Sequence, residues 1–155
     1  MKDSVVKVKG DIKIKRPVEE VFNFLLIPEN FVGVFPGLVS IREISHSPSV
    51  KGSSCKFTFQ FLTVFLDAKT TITKLRKNKL LQSEVVGEME GRSKYILDKD
   101  SEGITNLHFE SEMTLPGFLT ILAGSKFIQK IADNRNYEFL KTLKILIEAQ
   151  GKNIK

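Results

Sequence analysis

The chain has 155 residues, 41% of them apolar and 27% charged, with 24 basic and 18 acidic side chains giving a formal charge of +6. That length and balance suit one folded domain over residues 1–155 and exclude the disordered and fibrous classes. The lone Cys55 excludes an internal disulfide, the opening Met-Lys-Asp shows no leader pattern, and no apolar run reaches bilayer length, so the expected setting is cytoplasmic.

Residues 4–15 alternate, with Val6, Val8, Gly10, Ile12 and Ile14 on one side and Lys7, Lys9, Asp11, Lys13 and Lys15 on the other. Period two predicts a half-buried strand. Pro17 then opens a helical pattern in which Val18, Val21, Phe22, Leu25 and Leu26 share a face, with Glu19 and Glu20 near the positive end of the helix dipole. Pro28 stops that helix. A second short helix is predicted before Pro36-Gly37, with Phe31, Val34 and Phe35 on its apolar side.

From Leu38 to about Leu115 the period is two again, broken at Ser47-Pro48, Lys77-Asn78, 87–91 and 100–103. This predicts a meander of about six strands. The predicted dry face collects Val39 and Ile41; Cys55, Phe57, Phe59 and Phe61; Leu66, Ala68, Thr70 and Ile72; Leu81, Ser83 and Val85; Ser93, Tyr95 and Leu97; and Leu107, Phe109, Ser111 and Met113. His108, Glu110 and Glu112 fall on the wet face. A last helical segment over 117–148 should cover the dry face with Ile121, Ile128, Ile131, Ala132, Phe139, Leu143 and Leu146. Gly124 marks either a kink or the true start of this helix, and the tail from Gly151 is expected to fray.

Chemistry is sparse on this framework. Twelve Phe against two Tyr and no Trp put most ring surface in side chains without a polar handle, which suits greasy contents better than sugars or nucleotides. His46 falls in a loop and His108 faces water, and no ligand spacing for a metal, P-loop or nucleophile elbow occurs. Cys55 reads as a small apolar wall residue. Arg135 is the misfit: it must snorkel to an edge, pair with a carboxylate such as Glu43, or offer its fork to a ligand's head group. Most Lys alternate with apolar residues as on a solvated face, and no aromatic is interleaved with an Arg cluster, so nucleic acid is not an expected partner. The densest basic stretch, Lys74-Leu-Arg-Lys-Asn-Lys79, is where a peripheral membrane contact would sit.

The order strand, two short helices, meander, long C-terminal helix is that of the helix-grip α+β fold. With Gly10-Asp-Ile-Lys-Ile-Lys-Arg-Pro-Val-Glu-Glu-Val-Phe-Asn-Phe-Leu, Ile27-Pro-Glu-Asn-Phe and Phe35-Pro-Gly37, the chain resembles the START-like (SRPBCC) superfamily of polyketide cyclase/dehydrase-like, plant Bet v 1-type and lipid-transfer proteins, and most of all the branch that contains the G-subunit of carbon monoxide dehydrogenase. The resemblance implies a curved antiparallel sheet of about seven strands around the long helix, enclosing a cavity. Joined to the Phe-rich face, it leads to a first function reading: non-catalytic binding or transport of a lipid, quinone or polyketide-like molecule, without cofactor or metal. The expected ligand contacts are Phe57, Phe59, Phe61, Ala68, Thr70, Val85, Tyr95, Leu97, Phe109, Ser111, Met113, Ile128, Ile131 and Arg135, with Phe31, Val34 and Phe35 at the mouth. The alternatives are a cyclase/dehydratase-type enzyme, for which only Arg135, Tyr95 and Glu43 offer ionisable groups, and an accessory or assembly factor of a redox enzyme with a protein partner.

Overall fold

A computed structural model describes residues 4–153; the opening Met-Lys-Asp and the end of the tail lie outside the described residues. Seven strands, β1 (Ser4–Ile14), β2 (Leu38–Arg42), β3 (Ser54–Phe61), β4 (Val64–Arg76), β5 (Leu80–Gly87), β6 (Glu90–Lys99) and β7 (Thr105–Leu115), form one antiparallel sheet in the order β1-β7-β6-β5-β4-β3-β2. From β3 onward consecutive strands pair through short turns, an eleven-residue loop joins β2 to β3, and β1 pairs with β7 at the far edge, leaving the first crossover to the helices. Between β1 and β2 lie helix α1 (Val18–Leu25) and a single 3-10 turn (Pro28–Phe31). The second short helix thus shrinks to one turn, because the backbone at Gly33 takes positive φ before Pro36-Gly37 can end a longer one.

The C-terminal cover divides into α2 (Gly117–Ala123) and α3 (Ser125–Asn153). Gly124, at φ +81°, separates them, which settles the choice left open by the sequence in favour of a break with a new start at Ser125. The break explains why Ile121, predicted in the buried stripe, stands 68% exposed: α2 turns Leu119 inward instead. Farther on, α3 buries Phe139, Leu140, Leu143 and Ile147, while Leu146 falls outside the stripe at 38% exposure. In β2 a bulge between Leu38 and Ser40 resets the register, so Leu38 and Ile41 face inward and Val39, predicted inward, faces out.

The sheet has two free edges, and they are treated differently. Edge strand β2 is only five residues long, one of the standard ways to blunt an edge. Edge strand β1 is eleven residues long, and α3 runs alongside it and satisfies its outward backbone groups with side chains. Gln129 exchanges hydrogen bonds with the Lys7 backbone, accepting from its N–H at 3.3 Å and donating to its carbonyl at 2.8 Å. Asn136 donates to the Lys9 carbonyl (3.2 Å), Lys144 to the Lys13 carbonyl (2.7 Å), and Glu148 accepts from the Lys15 N–H (2.8 Å). The match is metric. Helical rise from residue 129 to 148 covers about 28 Å, and the eight residue-to-residue steps from 7 to 15 cover about 26 Å, so one straight helix can serve the whole edge.

The interior splits into two apolar clusters. One gathers Ile14, Val21, Phe22, Leu97, Leu107, Phe139, Leu143 and Ile147 under α1 and the C-terminal half of α3. The other gathers Phe61, Leu66, Ala68, Val85, Met89, Leu115, Leu119 and Ile128 under α2 and the start of α3. Phe139 is the hub of the first, with ring centroids 4.6 Å from Phe35 and 5.3 Å from Phe109. Burying such rings supplies most of the driving force for this half of the molecule.

Candidate functional site

Between the two clusters the interior is not filled. A cavity of about 240 Å³ lies on the concave face of the sheet, walled by Val6 and Val8 of β1, Phe57, Phe59 and Phe61 of β3, Tyr95 of β6, Phe109 of β7 and the Arg135–Asn136 pair of α3, among others. Its origin is the strand register. Ser83 of β5 lies opposite Ser93 of β6, and Ser93 opposite Ser111 of β7, so three small side chains form a row across the floor. The row on one side of it carries Tyr95 and Phe109, and the row on the other carries Met113 and Val85. Three serines where three large residues would meet α3 leave the space open. The hydroxyls of Ser83 and Ser93 bond each other at 2.8 Å, which satisfies them without a ligand.

Arg135 is the one charged residue in the wall. It neither reaches Glu43, which pairs instead with Lys56 at 3.1 Å, nor forms an ion pair with any other described carboxylate. Its Nη1 donates to the Gln60 backbone carbonyl at 2.7 Å, and the guanidinium carbon sits 5.4 Å from the Phe59 ring centroid and 5.1 Å from that of Phe61. The side chain crosses from α3 to β3, a backbone contact that is neither the pairing with Glu43 nor an exit at a free edge of the sheet. Burial lowers its pKa, yet a guanidinium stays charged at any working pH. Gly37 makes the crossing possible. At φ +94°, a Cβ there would lie 2.7 Å from Arg135 Nη1 and 2.8 Å from the Gln60 carbonyl oxygen.

Other polar atoms in the wall are few. The Tyr95 hydroxyl has its ionisation pushed far up by burial alone. Burial, with a smaller contribution from Glu29, pushes the Cys55 thiol up as well, so it is no activated nucleophile. Asn136 spends its amide N–H on β1, and its buried Oδ1 has no partner among the described residues. No His, Asp, Glu or Lys lines the cavity, and among the described residues no three potential metal ligands converge.

The family model for the G-subunit of carbon monoxide dehydrogenase (CoxG) matches residues 10–144. The chain belongs to the CoxG family. No curated protein matches its sequence. Solved structures share the fold at low identity. TTHA0849 from Thermus thermophilus is 14% identical with a TM-score of 0.75, covering 93% of this chain and 98% of that one. A conserved protein from Geobacillus kaustophilus is 19% identical with a TM-score of 0.74, covering 92% and 95%. The ZhuI aromatase/cyclase from Streptomyces sp. R1128 is 10% identical with a TM-score of 0.73, covering 93% and 94%. The helix-grip architecture expected from the sequence is therefore that of this chain, and the branch the sequence most resembles is the family to which it belongs.

Within it, Phe57, Phe59, Phe61, Thr70, Val85, Tyr95, Phe109, Ser111, Met113 and Arg135 line the cavity, as do Phe31 and Phe35 from the crossover. Ala68, Leu97, Ile128, Ile131 and Val34 do not. Leu97 and Val34 are absorbed by the packed cluster under α1, and Ala68 and Ile128, with Ile131 against them, by the cluster under α2. Inward register is necessary for reaching the cavity but does not suffice, because packing at either end of the strands fills the space. Leu38, Ile41, Ser49, Ser53 and Asn136 line the cavity although their sequence pattern does not single them out as ligand contacts. Asn136 carried a signal: polar residues recur at 129, 136, 144 and 148, the spacing by which α3 meets β1.

Proposed function

We propose that this protein binds a lipophilic small molecule in the cavity without transforming it. The observation that carries the reading is the cavity itself, about 240 Å³ with a mostly apolar wall in which eight hydroxyl residues, one thiol, one amide and one guanidinium are interspersed. An apolar void of roughly 150 Å³ already accepts a benzene ring, and ligand pockets start near roughly 300 Å³, so the space suits a bicyclic or short-chain compound, or the ring end of a longer one. Each Å² of apolar ligand surface removed from water would contribute about 25 cal/mol before ordering costs. Arg135 has N–H groups beyond the one given to Gln60, and these are the natural donors to a carbonyl or carboxylate oxygen of the guest.

The cyclase-type alternative is less well supported. General acid-base chemistry wants a group titrating near the working pH, and the wall offers a tyrosine pushed the wrong way and a guanidinium. Native mass spectrometry after gentle purification, joined to uptake of a hydrophobic fluorescent dye, tests the proposal. A co-purifying apolar compound or saturable dye uptake is expected; absence of both overturns it.

A further inference from the structure

Among the described residues, Asn136 is the one member of the cavity wall with a buried polar side-chain atom left unmet. Its place follows from β1. Gly10 lies opposite Phe109 with no side chain of its own, and the Asn136 amide takes up that room: a Cβ at residue 10 would lie 3.4 Å from Nδ2. From there Nδ2 donates to the Lys9 carbonyl at 3.2 Å. That bond fixes the amide, because turning it over would set Oδ1 against a carbonyl oxygen that can only accept. Oδ1 is therefore held on the branch away from Lys9, buried and without a partner among the described residues.

The other polar groups of the wall do not discriminate in the same way. Arg135 only donates, and the hydroxyls of Tyr95, Thr70 and Ser111 turn to donate or to accept as a guest requires. They can serve the oxygen of a ketone, an ester or an ether as readily as that of an alcohol. An amide oxygen only accepts, so it favours a guest that brings an O–H. We propose that Asn136 makes the cavity selective for hydroxylated apolar compounds, alcohols or phenols whose O–H donates to Oδ1, over ketones and hydrocarbons of the same bulk. The proposal rests on the reading that the cavity holds a guest, and it names the chemical class of that guest. Relief of a buried, unmet acceptor adds to what a hydrogen bond ordinarily contributes, so the gain on binding is larger than at a site already satisfied. Asn136 and Arg135 are neighbours in α3 but reach opposite flanks, one to β1 and the other to β3. A guest hydroxyl on Asn136 thus leaves Arg135 free for a second oxygen.

Competition against a bound hydrophobic dye tests this with three bicyclic probes of similar volume: the alcohol tetralol, the ketone tetralone and the hydrocarbon tetralin. Tetralol is expected to compete about tenfold more strongly than either of the others. In Asn136→Leu that advantage should vanish while tetralin competes at least as well as before, because leucine fills the same space without the acceptor. Lys144→Met removes a different bond from α3 to β1 and should leave the advantage intact, with circular dichroism checking that both variants are folded. Should Asn136→Leu not fold, the ranking of the three probes by the parent protein decides alone. Equal competition by all three overturns the proposal and leaves an unselective apolar cavity. Loss of the advantage in Lys144→Met, as large as in Asn136→Leu, overturns it by tracing the preference to the seating of α3. Absence of dye uptake, or of competition by any probe, overturns it together with the reading on which it rests.

Discussion

Helix α3 meets the sheet along two flanks, and the two are built on different principles. Toward β1 it is fastened by four polar side chains, Gln129, Asn136, Lys144 and Glu148, spread over about five turns of helix and backed by the packing of Leu140 and Leu143. Toward β3 its one hydrogen bond among the described residues is that of Arg135, which crosses to Gln60 over the glycine at 37, beside the packing of Ile128 and Ile131. A distributed attachment resists any single loss. A single attachment can open. The flank along the phenylalanine wall of the cavity is thus the one with the fewest polar attachments, and it is where the proposed guest would enter.

The largest expected effect comes from attacking the redundant flank where it is apolar. Leu143 is fully buried in the cluster that ties α3 to α1 and β1. Leu143→Ala should cost about 2–5 kcal/mol in urea unfolding, through lost transfer energy and the cavity left behind. A cost below about 1 kcal/mol would mean that α3 is held mainly by its polar side chains, and the contrast between the flanks would have to be redrawn.

Next in size is Gly37→Ala. The substitution places a methyl group 2.7 Å from Arg135 Nη1 and 2.8 Å from the Phe59 ring, at a φ that L-residues rarely adopt. About 1–3 kcal/mol should be lost in thermal or urea melts. The bound dye should also dissociate faster than from the parent protein, because the strap across the cavity flank is displaced. Unchanged dissociation would show that guests leave by another route.

Arg135→Met separates the strap from the strain. It keeps the contact with Phe59 and Phe61 while removing the Nη1 bond to Gln60 and the charge, so stability should change by about 1 kcal/mol or less. Affinity for a ligand bearing a carbonyl or carboxylate should fall more than affinity for its plain hydrocarbon analogue. Equal losses for both would remove Arg135 from head-group recognition and leave it a purely structural strap.

How much of this asymmetry could be read in the sequence follows from which interactions are periodic. The strands, the meander and the inward Phe set were legible because alternation fixes which side of a strand each residue takes. Arg135 was legible as a misfit because a charge broke an apolar stripe. The Arg135–Gln60 bond was not, since its acceptor is a backbone carbonyl 75 residues away that leaves no mark in residue type. The serine row was equally hidden: Ser83, Ser93 and Ser111 each read as an inward hydroxyl, but only register across three strands places them side by side. Val39 and Ile121 went astray where a bulge and a glycine break reset the period, events that a regular pattern does not announce.

The smallest expected effect lies on the fastened flank, on the outer face of β1 and β7. His108 bonds Glu110 at 3.0 Å and Asp11 at 2.8 Å, and these two acceptors, Glu110 first, raise its pKa above the ordinary 6.5. A group charged more readily in the folded state stabilises it below the unfolded pKa, and the contribution fades as pH rises through the raised folded value. Glu110 shows the mirror case: its bond from His108, then that from Lys94, lowers its pKa below 4.5, so its contribution is present above 4.5 and is lost as pH falls through the lowered value. Stability from this cluster should therefore peak between about pH 4.5 and 6.5 and decline toward about pH 8, by about 0.2–0.5 kcal/mol given its exposure to solvent. Melting curves of the parent and of His108→Gln, taken from about pH 5 to about pH 8, should converge at the alkaline end and separate at the acidic one. Curves that run parallel would show that the β1–β7 seam draws nothing from the imidazolium, leaving α3 and its polar side chains as the agents that fasten this edge.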